Sequence, residues 1–484
     1  MLNKTTLLFL VILIEGYVVL ACELLGIRLL VPFVGSGVET TAIIISGVLL
    51  PLAVGYHVGG HRYVKAYRRA KSKKLFKNSI RDILMRNILV ALIFLSFGLT
   101  HVIVESVFYV MNEVGITHRL PQTFLYVMLF LVTPIYLLGQ TVPLASHYFS
   151  KRKLSAITGR MLFFSTIGSF LGSLFSTLVL MTYLGVHNTV TITVALLGLL
   201  ALLVAGRRRR FMLLVCLIFV FFTFVFNNPW TLRAIGVVGN NAYNMVRLIP
   251  VPDTKDVMVF INNAYSSRFT LLPQNRFPHV KYIEQNLIAM LNSQKRGPLD
   301  ILVLGAGAFD IGRFDNYNNF LYIDIDKELK EIAERELLKN KLASNKKFVA
   351  QSARSFIIHD KAKYDMIVID VYTRNVSMPM EAITQEFYRD IKNHLKPDGI
   401  VAANIVARAA FDDRFSVRFD NTFGSVFPNR MRQLMPFIDV MTAVEKEGAY
   451  NGLRNALYIY HHTEAAQDRS IYTDDKNNYS MDVE

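Results

Sequence analysis

The sequence predicts two folds in one chain: a multi-pass α-helical membrane domain over residues 1–230, then a small β-meander (within 231–280) and an α/β Rossmann-like domain over 281–484. Three observations predict this. Apolar runs near the ~20 residues that cross a bilayer are confined to the first half. Residues 1–230 hold 21 Lys/Arg against 6 Asp/Glu, whereas the rest of the chain is nearly balanced at 32 against 31. In the second half, short apolar strands alternate with helical patterns, which implies a parallel sheet.

Seven apolar segments are candidate spans: about 6–34, 39–60, 83–111, 122–147, 158–183, 186–206 and 211–227. The first is too long for a cleaved signal peptide. The strongly basic loops are 61–86, Lys151-Arg152-Lys153 and Arg207–Arg210, and the loops between them are nearly free of Lys and Arg. Basic loops stay in the cytoplasm, so the N-terminus is expected inside. Seven full crossings place 228–484 outside; if the short 211–227 segment does not cross, that part stays inside. The net charge of +16 therefore belongs to membrane loops, and no nucleic-acid partner is expected. Both cysteines, Cys22 and Cys216, lie in apolar segments, so the second half has no disulfide framework and no cysteine zinc site; no metal is expected. Glu15, Glu23, Arg28, His57, His61, His101 and Glu105 lie in or at the ends of spans. They read either as a polar cavity for a cationic molecule or as interhelical pairing. Gly168-Ser169 and Gly172-Ser173 suit close helix contact.

In the second half, Met245–Ile249, Val257–Ile261 and Arg268–Leu272 read as a β-meander, and His279–Ser293 as a helix. Strands follow at Leu299–Leu304, Phe320–Ile323, Lys347–Ala350, Met366–Ile369 and Ile400–Ile405, with a late one at Arg454–Tyr460. Helices are expected over Asp326–Lys341 and Glu381–Leu395. Gly305 and Gly307 end the first strand, where glycine lets backbone approach a ligand closely. Asp324 ends the next strand, 19 residues after Gly305, where a carboxylate suits two ribose hydroxyls. Position 310 is Asp, so the third glycine of the dinucleotide fingerprint is absent, which favours an S-adenosyl ligand over NAD.

Ala21-Cys22-Glu23-Leu24-Leu25-Gly26-Ile27-Arg28-Leu29-Leu30 with Pro32–Ser36, and Gly159-Arg160 through Ser165–Gly172, resemble the first and fifth spans of membrane-fused spermidine synthase-like proteins. The second half resembles the polyamine aminopropyltransferases. Ile301–Gly307 is similar to their glycine loop, Ile323–Asp326 to their ribose-binding acidic segment, and Tyr364–Asp370 to the strand ending in the catalytic Asp. Glu386-Phe387-Tyr388 with Leu395–Gly399 matches the helix and turn that follow, and His279–Glu284 the segment supplying a tyrosine to the amine site. The chain departs from the family at three places. Ala308 stands where the family has an acid, Ser352 falls on its adenine-reading Asp, and Thr373 on a second acid of the amine site.

The resemblance implies transfer of an aminopropyl group from decarboxylated S-adenosylmethionine to a diamine such as putrescine, with no permanently bound cofactor. It also implies a homodimer, with the lipid bilayer and a polyamine as partners. Asp370 is the expected base and Tyr282 helps place the amine. Gly305, Gly307, Asp324 and Ser352 face the nucleoside. Glu284 and Glu381 are candidate replacement acids around Thr373 in the amine site. The competing reading is a non-catalytic transporter or sensor whose domain binds a polyamine or nucleoside. A methyltransferase shares the sheet but not the β-meander.

Overall fold

The computed structural model describes residues 4–69, 73–147, 154–205, 209–372, 378–408, 410–436, 453–459 and 471–474. It falls into two compact units, Met1–Ala242 and Tyr243–Glu484.

The first unit is helical: α1 (Lys4–Val34), α2 (Val38–Arg69), α3 (Lys73–Gly98), α4 (His101–Glu113), α5 (Arg119–Val127), α6 (Thr133–Gly139), α7 (Thr141–Ser146), α8 (Leu154–Phe175), α9 (Thr182–Val204), α10 (Arg209–Asn227) and the short α11 (Pro229–Ala234). A strand, β1 (Val237–Asn240), closes the unit. Among the described residues, five stretches are long and apolar enough to cross a membrane: Thr6–Val34, Val38–His61, Arg119–Ser146, Ala156–Val204 and Arg210–Asn227. The expected span 83–111 is bent by 70° between α3 and α4, and this pair makes a sixth if taken as one. Asn227 of α10 meets the groups freed at that break: its Oδ1 accepts the His101 N–H at 3.2 Å and its Nδ2 donates to Thr100 Oγ1 at 3.2 Å. Backbone freed in an apolar medium needs such a partner. The expected spans 158–183 and 186–206 form one 49-residue stretch interrupted at Gly185, whose φ of 82° and ψ of 165° no α-helix contains. At the α1–α8 crossing, Gly16, Gly168 and Gly172 each face a backbone carbonyl of the other helix with no room for a Cβ. Leu50, Phe163, Leu214 and Phe221 remain exposed, so the unit is apolar outside as well as inside.

In the second unit, β2 (Met245–Pro250), β3 (Val257–Ile261) and β4 (Ala264–Phe269) form an antiparallel meander. The third strand starts four residues earlier than expected. Asn262 and Asn263 both have positive φ, 51° and 59°, which makes a two-residue hairpin turn and starts β4 at once.

Among the described residues the main sheet has seven strands: β5 (Asp300–Leu304), β6 (Asn319–Asp324), β7 (Lys346–Ala350), β8 (Tyr364–Ile369), β9 (Leu395–Arg408), β10 (Met431–Leu434) and β11 (Leu453–Ile459). Their spatial order is β10-β11-β9-β8-β5-β6-β7, with β5 to β9 parallel and β11 antiparallel to β9. This is a Rossmann-like sheet with its order reversing at β5, between β6 and β8. Helices cover both faces: α12 (Pro278–Tyr282), α13 (Ala289–Gln294) and α14 (Glu328–Ile332) on one, α15 (Ala353–His359), α16 (Gln385–Asn393) and α17 (Arg414–Val426) on the other. Strand alternation splits β5 between the two cores. Ile301 and Val303 pack with Phe277, Ile283 and Leu291, whereas Leu302 and Leu304 pack with Ile357, Phe387 and Phe423. The N-terminal edge is an ion-pair cluster. Lys295 and Lys396 both reach Asp365, at 2.8 and 2.9 Å, and hold its carboxyl down at about 2 despite the opposing effect of burial.

Candidate functional site

Open parallel sheets bind ligands beyond the strand C-termini where strand order reverses. Here that point lies between β5 and β8, and four sequence-marked residues, Gly305, Gly307, Asp324 and Asp370, lie at the strand ends around it. Gly305 ends β5 with φ 91°; its N–H donates to Ile323 O at 2.8 Å, and its Cα faces the Asp370 carbonyl too closely to admit a side chain. The Asp370 N–H donates to Leu304 O at 2.8 Å, so the ends of β8, β5 and β6 are tied in a row. Gly307 follows with φ 51°, beside the Ser266 and Ser267 hydroxyls of β4. Phe309 also has positive φ, 57°, uncommon for a bulky residue. Its buried ring, edge-on to Tyr322 and Phe348, holds the loop in that shape.

Asp324 ends β6. Its Oδ2 accepts the Ala306 N–H at 3.0 Å and its Oδ1 the Asp326 N–H at 3.0 Å. A carboxylate has about four lone-pair directions, so each oxygen retains capacity for a hydroxyl. Burial, helped by the neighbouring Asp326, pushes its carboxyl up to about 6 against the pull of these N–H donors. Asp326 is fully buried and accepts from Asn244 Nδ2 at 3.1 Å; Asn244 Oδ1 accepts from Asn262 Nδ2 at 3.0 Å. The acidic segment is thereby fastened to the meander.

Asp370 follows β8 directly. Asn404 of β9 donates to its Oδ1 at 2.8 Å, and Asn455 of β11 donates to Asn404 Oδ1 at 3.0 Å. Its Oδ2 faces His279 Nε2 of α12 at 3.8 Å. Tyr282, one helical turn on, is half-buried against the apolar core beneath β5. Asn404 and His279 were not singled out in the sequence, although an Asn within the apolar run Val401–Val406 was a signal.

Three expected residues are engaged elsewhere or stand apart. Glu284 is not free for a substrate: Arg276 binds both its oxygens, and the Gly312 N–H donates to its Oε1 at 2.8 Å. The cause is local, because the chain entering α12 folds the buried Arg276 guanidinium back onto the next helical turn. The Ser352 hydroxyl is occupied as N-cap of α15, accepting the Ser355 N–H at 3.1 Å. Glu381 is exposed in a single 3-10 turn, Met380–Ala382. Thr373 lies outside the described residues.

No family model matches the chain. Curated relatives do. The polyamine aminopropyltransferase of Oceanobacillus iheyensis is 23% identical over 273 residues, covering 51% of this chain and 51% of that protein. Polyamine aminopropyltransferase 2 of Pseudomonas aeruginosa is 25% identical over 139 residues, 27% of this chain and 40% of that one. The polyamine aminopropyltransferase of Vibrio vulnificus is 24% identical over 166 residues, covering 33% of this chain and 55% of that one. The chain thus spans about half the length of these relatives. A crystal structure of a probable spermidine synthase from Corynebacterium glutamicum matches at 20% identity and TM-score 0.38, over 46% of this chain and 78% of that one. In sequence, the chain is similar to polyamine aminopropyltransferases.

Proposed function

We propose that the Tyr243–Glu484 unit transfers an aminopropyl group from decarboxylated S-adenosylmethionine to an amine such as putrescine. The observation that carries this reading is Asp370: a carboxylate fixed by Asn404 at the mouth of the Gly305–Gly307 bend, with only β5 between its strand and that of Asp324. In this reading the nucleoside lies over the glycines and Asp324 holds its ribose. The acceptor arrives as an ammonium and passes one proton to Asp370. Its freed lone pair attacks the aminopropyl carbon beside the sulfonium, the C–S bond breaks, and methylthioadenosine leaves with the bonding pair on sulfur. Alignment of the two reactants supplies much of the acceleration. Tyr282 flanks the amine from α12.

The test is purified full-length protein with decarboxylated S-adenosylmethionine and putrescine, reading methylthioadenosine. Nucleoside or polyamine binding without product favours the second reading, a binding domain of a transporter or sensor. One observation leans that way: Arg276 neutralises Glu284, a candidate replacement acid. The proposal extends to the first unit as a cell-membrane domain with its N-terminus in the cytoplasm, on the strength of its apolar stretches and basic loops. A reporter fused after Glu484 reads which side the second unit occupies.

Asp324 makes binding pH-dependent. Only the ionised carboxylate accepts from both ribose hydroxyls, so methylthioadenosine binding weakens as pH falls through about 6. The linkage to folding runs the other way. A carboxyl raised by burial contributes stability that is present below its ordinary value of about 4 and lost as pH rises through about 6. Methylthioadenosine should therefore raise the melting temperature more at pH 7.5 than at pH 5. Asp324→Asn should erase that difference; an equal rise at both pH values in the wild type counts against the ribose role.

A further inference from the structure

We propose that His279 is the proton acceptor behind Asp370, with the buried Asp310 carboxylate as its counter-charge. This rests on the aminopropyl-transfer reading and adds the route by which the proton leaves the site.

Asp370 cannot turn freely. Asn404 holds its Oδ1 at 2.8 Å, and Asn455 holds Asn404 at 3.0 Å, so Oδ2 stays directed at His279 Nε2, 3.8 Å away. The imidazole is itself buried, 4% exposed, on α12. Near it lies a group the transfer step leaves unused. Asp310 is 5% exposed, and neither carboxyl oxygen has a hydrogen-bond partner among the described residues. A buried carboxyl without partners calls for an explanation. Its charged surroundings are His279, Arg276, Arg313 and Glu284. Burial lifts it, Arg276 and Arg313 oppose that and Glu284 adds to it, leaving it at about 7. Asp370, at the end of β8, faces His279 at 3.8 Å, and Asp310, in the loop after Gly307, lies within electrostatic reach of it. Arg276, Arg313 and Glu284 stand around Asp310, with Glu284 bound to Arg276.

The chemistry requires such a group. An alkylammonium near pKa 10.4 gives up its proton poorly to a carboxylate near 3.9, and an ordinary imidazole near 6.5 is a better terminus. The steps balance: the ammonium N–H proton passes to Asp370 Oδ2, and Asp370 hands it to His279 Nε2. Asp370 is again a carboxylate and His279 an imidazolium, whose charge Asp310 offsets. The product amine keeps its remaining protons, and the imidazolium later releases one to water. His279 touches Asp370 and not the substrate, so it is a positioning residue in this scheme.

The test uses the full chain in detergent or nanodiscs, with decarboxylated S-adenosylmethionine and putrescine across pH 5.5–9. In the wild type, kcat/KM for putrescine should rise with pH along a limb set by an imidazole. His279→Gln should lose that limb and about 10²-fold in kcat, with donor KM unchanged, and added imidazole should restore rate. Asp310→Asn should move the limb to lower pH, because the imidazolium loses its anion. The same shift should appear in the titration of His279 read by NMR on histidine-labelled protein, which requires neither turnover nor a folded Gln variant. If the wild type turns over while His279→Gln keeps both limb and rate, or if Asp310→Asn leaves the NMR titration in place, the proton route is wrong and the transfer reading stands. If the wild type makes no methylthioadenosine, the transfer reading fails, and the route fails with it.

Discussion

Asp370→Asn should lower methylthioadenosine release about 10³-fold while leaving donor binding within a few-fold of wild type. Asparagine has the shape of aspartate, and its amide oxygen can still accept from Asn404 Nδ2, which lies 2.8 Å from Oδ1 in the wild type. The strand-end hydrogen bond from the residue 370 N–H to Leu304 O is backbone and is retained. What is lost is the negative charge beside the amine and the ability to take its proton. The melting temperature should stay within a few degrees, because no core volume changes and no buried cation is stranded. The prediction thus separates chemistry from folding: equal losses of donor binding and rate would place Asp370 in the nucleoside site. A variant that keeps more than a tenth of the wild-type rate would remove it as the base.

How much of this was legible in the sequence depended on whether a contact is local. Gly305, Gly307, Asp324 and Asp370 could be named because each follows a short apolar strand, and strand ends are visible in the hydrophobic pattern. Asn404 and Asn455 could not be assigned to Asp370, because their partnership exists only through the lateral order β8-β9-β11. The partner of Glu284 was hidden for a related reason: nothing in the spacing shows that the chain between Arg276 and α12 turns back to bring them together. The helix α17 was overlooked although Phe415, Phe419 and Phe423 recur at the four-residue spacing of one helical face and Asp413 caps it. That signal was present. β9 extends beyond the expected 400–405 because Leu395 already pairs with Tyr364. The register then jumps past Pro397, Asp398 and Gly399 to pair Met366 with Ile400, a bulge that turn residues hide in the sequence.

Gly305→Ala should be more damaging to the fold than Gly307→Ala, although the two glycines are equivalent in the sequence motif. At Gly305, φ is 91°, outside even the small left-handed region open to other residues. An alanine Cβ there would collide with the Asp370 carbonyl, whose carbon would lie 2.7 Å away, and meet Val371 N at 3.3 Å. These are backbone atoms at the end of a central strand, with no side chain to swing aside. The conformation costs about 1–2 kcal/mol and the overpacking about 1–3 kcal/mol. A melting temperature lower by roughly 10 °C for the second unit follows. Relief would require Asp370 to shift, and a displacement of about 1 Å at a reacting group can cost 10²-fold in rate. At Gly307, φ is 51°, which alanine tolerates, and the nearest atoms are the Ser266 and Ser267 hydroxyls at 3.3 and 3.4 Å, both able to rotate. Gly307→Ala should therefore fold nearly as well as wild type and lose methylthioadenosine affinity, because its methyl narrows the approach to the loop. Calorimetry on both variants, with and without methylthioadenosine, reads the contrast. Should Gly307→Ala melt lower than Gly305→Ala, then the carbonyl of Asp370 is not what confines the bend, and the coupling between the glycine loop and the base has to be abandoned.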